Sequence, residues 1–279
     1  MTFDPPVITL ITGQAGAGKS TIAAFLADEV DHSVVHITSQ KLSENEIKII
    51  DSMLIRGHSF ILDVDTLNID ILNLLSKATA LGFQLDTILI YCDDVRITLE
   101  RSRKQSKYLN ELNERNQNNL LFLPVALDRS KRMLIIDNST GLPKIEFKNS
   151  TELALGQNLN QNSFLQRLSI RHFEHQSSKK MMHAVFERLR GSAKFRASLT
   201  AAKNLKASVY SGLVIERSED HILQQVSDVL YVLHDVALIK YQLAGEIIKG
   251  AIATISYKTH EPGRDVSSIE RNNERDHSR

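Results

Sequence analysis

The sequence predicts an α/β fold in which a parallel sheet is flanked by helices, followed by an α-helical C-terminal region. Short β-branched apolar runs alternate with helical patterns up to about residue 150, and a glycine-rich loop joins the first run to the first helical pattern. No convincing strand pattern follows. Because strands that alternate with helices form right-handed βαβ crossovers, the sheet should be parallel. We therefore expect an α/β domain over 1–150, a helical region over 151–258 and a polar, disordered tail over 259–279.

The first domain should contain five strands and four helical segments. β-branched and other apolar residues cluster where strands are expected, at 7–12, 33–37, 59–63, 87–91 and 133–137. Helical periodicity predicts helices at 21–30, 43–55, 68–81 and 95–118. Ser43 followed by Glu46 forms a capping-box pattern at the start of the second helix, and Gly82 is placed to end the third.

The C-terminal region is expected to be helical at 163–190, 191–209 and 218–255. Its last segment carries apolar residues spaced alternately by three and four, a heptad seam with one lapse at a lysine. The seam residues are Ile222, Val226, Val229, Leu233, Val236, Lys240, Leu243 and Ile247. This seam predicts either packing within a helical bundle or a homo-oligomer formed through residues 222–247.

The stretch 167–206 is strongly basic. It is either the outer face of a packed helix or a surface for an anionic partner such as nucleic acid or a phosphate-rich acceptor. Three histidines, His172, His175 and His183, lie within it. They do not follow the spacing of metal ligands, so no metal site is expected from them.

Composition excludes several classes of protein. The chain has 279 residues, of which 42% are hydrophobic and 24% charged, which is ordinary for a globular protein and excludes a wholly disordered or collagen-like chain. A single cysteine, Cys92, cannot form an internal disulfide, which indicates a reducing, cytoplasmic location. The apolar runs are of strand length, so no transmembrane segment is expected.

The net charge of +1 is distributed unevenly along the chain. Residues 1–100 carry −8, 101–160 carry +4, 161–210 carry +8 and 211–279 carry −3. The half that holds the glycine-rich loop is therefore acidic.

The glycine-rich loop fits the pattern G-x-x-x-x-G-K-[ST] without a mismatch and lies between a predicted strand and a predicted helix. Such a loop presents backbone N–H groups and a helix N-terminus to phosphates. Lys19 would reach the β- and γ-phosphates, and Ser20 would offer its hydroxyl to Mg²⁺. The predicted nucleotide-binding residues are Gly13, Gln14, Ala15, Gly16, Ala17, Gly18, Lys19, Ser20 and Thr21. The sequence therefore predicts a P-loop NTPase-type sheet with ATP or GTP and Mg²⁺ as cofactors, although a structural loop and a non-catalytic nucleotide site remain alternatives.

The third predicted strand ends in Asp63 and Asp65, at the sheet edge where ligands bind in parallel α/β folds. Asp63 is the better candidate to hold Mg²⁺. By the period of a strand both carboxylates point to the same side, so the second could orient or deprotonate an acceptor hydroxyl. The alternative for Asp65 is that it caps the helix that follows.

Basic residues follow the fourth predicted strand. Arg101 and Arg103 are the candidates to stabilise a transferring phosphoryl group, the alternative being a solvated helix face. The candidate catalytic residues are Lys19, Asp63, Asp65, Arg101 and Arg103, and the candidate metal ligands are Ser20 and Asp63.

With these motifs in order, residues 5–150 resemble the zeta toxin family of P-loop kinases. The stretches 13–21, 61–68, 82–103 and 134–143 are similar to that family's phosphate loop, its acidic strand end, its arginine-bearing helix and its late Asp-Asn-Ser turn. The resemblance implies a phosphotransferase, and known members of the family phosphorylate nucleotide sugars such as UDP-N-acetylglucosamine. The C-terminal 120 residues have no counterpart in it.

One departure from the family concerns the acceptor. The family usually carries an acid after the second strand, where this chain has His36, Ile37, Thr38, Ser39 and Gln40. Either Asp63 or Asp65 takes the role of the base, or the acceptor differs, or kinase activity is lost. The leading hypothesis is an ATP- or GTP-dependent phosphotransferase acting on a small-molecule hydroxyl. The alternatives are a nucleotide-gated binding module and a polynucleotide kinase.

Overall fold

The computed structural model describes residues 5–30, 32–38, 42–92, 97, 109–138, 144–147, 164–192, 196–202, 208–239 and 247–257. The chain divides into two compact units, residues 1–173 and 174–279. Within the described ranges, no helix combines the length and the apolar character that a bilayer crossing requires.

The first unit is built on a six-stranded sheet with the order β2-β3-β1-β4-β5-β6. Its strands are β1 (Val7–Gly13), β2 (Ser33–Ile37), β3 (Phe60–Val64), β4 (Gln84–Tyr91), β5 (Arg132–Asp137) and β6 (Lys144–Phe147). The first five run parallel, and β6 pairs antiparallel with β5. The predicted parallel α/β sheet and its five strands are therefore confirmed.

Capping signals in the sequence mark the starts of two helices of the first unit. The helices of this unit are α1 (Lys19–Val30), α2 (Glu44–Arg56), α3 (Ile69–Ala80) and α4 (Leu109–Arg129), and α5 (Phe164–Ser192) begins here and continues into the second unit. Ser43 and Glu46 form the predicted capping box of α2, and Asn68 caps α3 by accepting from the backbone of Ile71. Helix α4 extends beyond its predicted end at 118, because the apolar residues around Pro124 are buried in helical conformation.

The second unit contains a five-stranded sheet with the order β11-β8-β9-β10-β7. Its strands are β7 (Ser198–Ala201), β8 (Ser208–Arg217), β9 (His221–Gln225), β10 (Leu230–Asp235) and β11 (Ile252–Tyr257). Only β7 pairs parallel, with β10; the other pairs are antiparallel. On α5, Met182 and Phe186 belong to the same core cluster as Leu223, Tyr231 and Leu233 of the sheet.

The prediction of a wholly α-helical C-terminal region is correct for α5 and wrong for most of the described residues after it. Of the described residues in 191–209 and 218–255, where helices are expected, most lie in strands or in the turns between them. The heptad spacing is misleading because Ile222 and Leu233 lie on two strands of a hairpin, while Val226 and Val229 belong to the turn between them. Apolar residues three and four apart arise in such a hairpin without any helix. Among the described residues of the seam, none lies in an α-helix, so the proposed oligomer through a helical seam is not supported.

Three further expectations concern the C-terminal half. Lys240 and Leu243 of the seam, and the tail at 259–279, lie outside the described residues. The basic side chains of Arg167, Lys180 and Arg188 are exposed on α5, which agrees with the outer face of a packed helix. An anionic partner for this face stays a prediction.

A buried polar network holds four strands of the second sheet together. His234 Nδ1 lies 2.8 Å from the Tyr257 hydroxyl, and its Nε2 lies 3.1 Å from Gln224 Oε1. Gln224 in turn donates to the carbonyl oxygens of Gly212 at 3.2 Å and Ala253 at 2.7 Å. Burial lowers the pKa of His234 to about 3, so this imidazole is neutral at physiological pH.

Candidate active site

The loop between β1 and α1 has a backbone conformation that requires glycine. The φ angles of Gly13, Gly16 and Gly18 are 132°, 78° and 92°, a range that other residues rarely adopt. A Cβ atom on Gly13 would also lie 2.1 Å from the carbonyl oxygen of Ile90 in β4. The loop is thus fitted closely against the neighbouring strand.

Gln14 fastens the loop to the end of β4 by two hydrogen bonds. Its backbone N–H donates to the carbonyl oxygen of Ile90 at 2.9 Å, and its side-chain oxygen accepts from the backbone of Cys92 at 2.8 Å. On the next strand, Asn138 follows β5 and donates from its side chain to the carbonyl oxygen of Ala17 at 2.7 Å. The hydrogen bonds made by Gln14 and Asn138 hold the loop at the carboxyl edge of the sheet.

Lys19 is the first residue of α1, and its side chain is 4% exposed. Its ammonium group donates to the carbonyl oxygen of Gln14 at 3.1 Å and pairs with Asp65 Oδ1 at 3.1 Å. The other carboxylate oxygen of Asp65 accepts from Arg115 of α4. Because a buried charge is tolerated only when it is paired, Asp65 holds the lysine in place at the mouth of the loop.

Helix α4 supplies further side chains that the sequence reasoning missed. Asn116 Oδ1 accepts from the backbone of Ala15 at 2.9 Å. The fully buried Asn119 donates to the carbonyl oxygen of Gly13 at 2.7 Å and accepts from the backbone of Leu67 at 2.7 Å. The available signal is the spacing of 115, 116 and 119, which places these polar residues on one helical face.

Asp63 contacts a different partner from Asp65. It is the last but one residue of β3, its side chain is 5% exposed, and its Oδ2 lies 2.8 Å from His36 Nδ1. His36 sits directly opposite on β2, with 48% of its side chain exposed. The imidazole therefore joins a buried carboxylate on one side and faces solvent over much of the other.

The structure brings together part of the predicted site. Lys19 and Asp65 are in contact, whereas Ser20 and Thr21 lie exposed in the first turn of α1. Arg101 and Arg103 lie outside the described residues. The roles assigned to these residues, including Mg²⁺ binding by Ser20 and Asp63, stay predictions.

The residues present fit a chain of phosphates with Mg²⁺. The first N–H groups of α1 have no acceptor within the helix, and they lie at its positive end. The ammonium group of Lys19 is held at the same place. Asp63, Asp65 and Ser20 carry carboxylate and hydroxyl oxygens, the ligand type that Mg²⁺ prefers.

Comparisons with protein families match two parts of the chain. Residues 1–45 match the model of the family described as Zeta toxin. Residues 209–263 match the model described as KfrB Domain. No curated protein matches the chain.

Solved structures of two kinases and one from a toxin–antitoxin system are similar to part of the chain. A sugar kinase from Janibacter is 16% identical with a TM-score of 0.34, covering 48% of this chain and 86% of its own. A structure from the PezAT chromosomal toxin–antitoxin system of Streptococcus pneumoniae is 15% identical with a TM-score of 0.37, covering 62% and 87%. A gluconokinase from Sinorhizobium meliloti is 12% identical with a TM-score of 0.28, covering 48% and 82%. In its first 45 residues, which include the phosphate loop, this chain is thus similar to zeta toxins, as its motifs predict, and over 209–263 it is similar to KfrB domains.

Proposed function

We propose that the first unit is a P-loop kinase that transfers the γ-phosphoryl group of ATP or GTP to a hydroxyl group of a small molecule. The observation that carries this proposal is the placement of Lys19, which is buried at the start of α1 and paired with Asp65. The loop that precedes it has the glycine conformations of a phosphate-binding turn. The similarity to zeta toxins over residues 1–45 supports the same conclusion, and the nucleotide sugars that known members of that family phosphorylate are acceptors to be tested first.

The residues of the candidate site have different proposed roles in phosphoryl transfer. This reaction needs positioning and charge stabilisation more than covalent chemistry. Lys19 moves from Asp65 towards the β- and γ-phosphates while the N-terminus of α1 faces them. Ser20 with Asp63 or Asp65 would hold Mg²⁺, which supplies charge neutralisation on the phosphate oxygens. Arg101 and Arg103 are proposed to stabilise the negative charge of the transferring phosphoryl group.

We propose that His36 is the base that deprotonates the acceptor hydroxyl. Its Nδ1–H donates to Asp63, which leaves Nε2 as a proton acceptor, as in other carboxylate-oriented histidines. It lies on β2, next to the place where the family carries an acid. In the proposed step the acceptor oxygen attacks the γ-phosphorus, the bond to the β–γ bridging oxygen breaks, and the hydroxyl proton passes to His36 Nε2.

The experiment that tests the proposed function is incubation of the purified chain with Mg-ATP or Mg-GTP and a metabolite extract supplemented with nucleotide sugars. Mass spectrometry should find an acceptor heavier by one phosphoryl group, and the product should be absent with Lys19→Ala. Nucleotide binding without any phosphorylated product would instead favour a nucleotide-gated binding module. Phosphorylation confined to 5′-hydroxyl ends of nucleic acid would favour a polynucleotide kinase.

The role of His36 is tested with His36→Asn, whose amide can keep the hydrogen bond to Asp63 but cannot accept a proton. We expect kcat to fall by about 10²–10⁴-fold with nucleotide affinity unchanged. The exposed His58 provides the control through His58→Asn, which should leave kcat unchanged. A kcat in His36→Asn equal to that of the wild type would exclude this histidine as the base.

A further inference from the structure

Three side chains converge in the second unit, at a place that the proposed kinase chemistry does not use. His175 lies on α5, and His221 and Asp235 face each other as a register pair of β9 and β10. The Nε2 atoms of His175 and His221 each lie 3.2 Å from Asp235 Oδ1. All three candidate ligand atoms lie within 4.8 Å of one another.

The distances suit a tetrahedral metal ion. Bonds of about 2.0–2.1 Å from Zn²⁺ to nitrogen and carboxylate oxygen place neighbouring ligand atoms about 3.3 Å apart. Both measured nitrogen-to-oxygen distances of 3.2 Å agree with that edge. Two imidazoles with one carboxylate favour Zn²⁺ or a similar transition metal over Mg²⁺ and Ca²⁺, which prefer oxygen ligands.

The surroundings hold one of the two imidazoles in a fixed orientation. Ser178, one turn along α5 from His175, places its Oγ 2.8 Å from His221 Nδ1 and 2.5 Å from Ser218 Oγ. A hydrogen bond to the second ring nitrogen is what orients histidines that bind metals. The Nδ1 atom of His175 is buried without a hydrogen-bond partner among the described residues, so packing and Asp235 alone position that ring.

The cluster of His175, His221 and Asp235 is exposed to solvent only at its carboxylate. Both histidine side chains are buried, whereas the side chain of Asp235 is 24% exposed. An ion bound here could therefore keep a water molecule as its fourth ligand, on the side of the carboxylate.

We propose that His175, His221 and Asp235 form a binding site for Zn²⁺ or a related transition metal. The spacing of 175, 221 and 235 matches no metal-binding motif in the sequence, because the three residues are brought together by a helix and two paired strands. This proposal does not depend on the proposed kinase activity.

The test uses the full chain stripped of metal with a chelator and then titrated with Co²⁺ and Zn²⁺ in separate experiments. We expect the visible absorption of tetrahedral Co²⁺, its displacement by Zn²⁺, and one bound ion per chain by calorimetry. His175→Ala and Asp235→Asn should each abolish the absorption. Ser178→Ala should weaken binding by about 10–100-fold, because it frees the ring of His221.

Two controls separate this site from other sources of binding. His183→Ala removes an exposed histidine from the same helix, and His58→Asn removes an exposed histidine of the first unit. Both should bind as the wild type does. Circular dichroism of the metal-free Asp235→Asn variant establishes that it is folded. Absence of a bound ion in the wild type, or binding that survives in both His175→Ala and folded Asp235→Asn, would overturn the proposal and leave a hydrogen-bonded cluster.

Discussion

At the scale of single residues, Asp65 organises the candidate active site. Its two oxygens neutralise two cations from different helices, Lys19 of α1 and Arg115 of α4. Its backbone N–H is held by the carbonyl oxygen of Ile37 at 3.0 Å. A carboxylate placed this way can keep the lysine ordered before the phosphates arrive and give it up to them afterwards.

Asp65→Asn removes this charge with little change of shape. Because Lys19 then stays buried without its counter-charge, we expect the free energy of unfolding to fall by about 3 kcal/mol. Urea denaturation at low ionic strength measures this change. Asp51→Asn serves as the matched control, since Asp51 and Lys77 form an exposed pair 2.6 Å apart and its loss should cost less than about 1 kcal/mol. Equal effects of the two substitutions would contradict the role given to Asp65.

At the scale of elements, α4 positions the phosphate loop as much as the strands do. Asn116 and Asn119 bind the backbone at Ala15 and Gly13, so the loop is held by side chains more than a hundred residues further along the chain. The spacing of these asparagines places them on one face of the helix, but nothing local in the sequence indicates that this face is turned to the loop.

The five parallel strands of the first sheet could be predicted from the sequence, whereas the strands of the second sheet could not. Strands β1 and β3–β5 are apolar runs buried on both faces, and such runs followed by helical patterns have few alternative interpretations. Strands β9 and β10 are joined by the turn at Ser227, and their apolar residues imitate a helical spacing. The contact between His36 and Asp63 was missed for a related reason, since His36 acquires this partner only through the pairing of β2 with β3.

Gly13→Ala tests the close fit of the loop against β4. The added Cβ would meet the carbonyl oxygen of Ile90 at 2.1 Å in addition to the strain of a positive φ. We expect thermal unfolding to show a loss of more than about 2 kcal/mol, together with loss of nucleotide binding. Gly82→Ala isolates the strain, because Gly82 has a φ of 91° and nothing within 4 Å of an added Cβ. Comparable stability of the two variants would show that the clash is relieved at no cost.

At the scale of the whole molecule, the chain joins an α/β unit to a smaller unit with a five-stranded sheet. The charge of −8 over residues 1–100 falls on the part that contains the phosphate loop. Capture of a nucleotide there must therefore rely on loop amides and Lys19, rather than on a general positive field. Half of the charge of +8 over 161–210 falls on α5, which carries six basic and two acidic residues.

The second unit depends on the network around His234. The substitution His234→Phe removes the hydrogen bonds of the imidazole to the Tyr257 hydroxyl and to the Gln224 side-chain oxygen inside the core. We expect the free energy of unfolding to fall by about 2–4 kcal/mol. Chemical denaturation of His234→Phe, Tyr257→Phe and the double variant measures the coupling, and the double variant should lose less than the sum of the single ones. Strict additivity would mean that the two side chains do not act as one network.

Phosphoryl transfer at the loop around Lys19 is tested most directly with ATP labelled with ¹⁸O in its γ-phosphoryl oxygens. The labelled ATP is mixed with the chain, Mg²⁺ and nucleotide sugars, and the acceptor is analysed by mass spectrometry. We expect labelled phosphate on an acceptor hydroxyl with the wild type and none with folded Lys19→Ala. Label found only in inorganic phosphate, or on the acceptor in equal amount with both proteins, would contradict phosphoryl transfer at this loop.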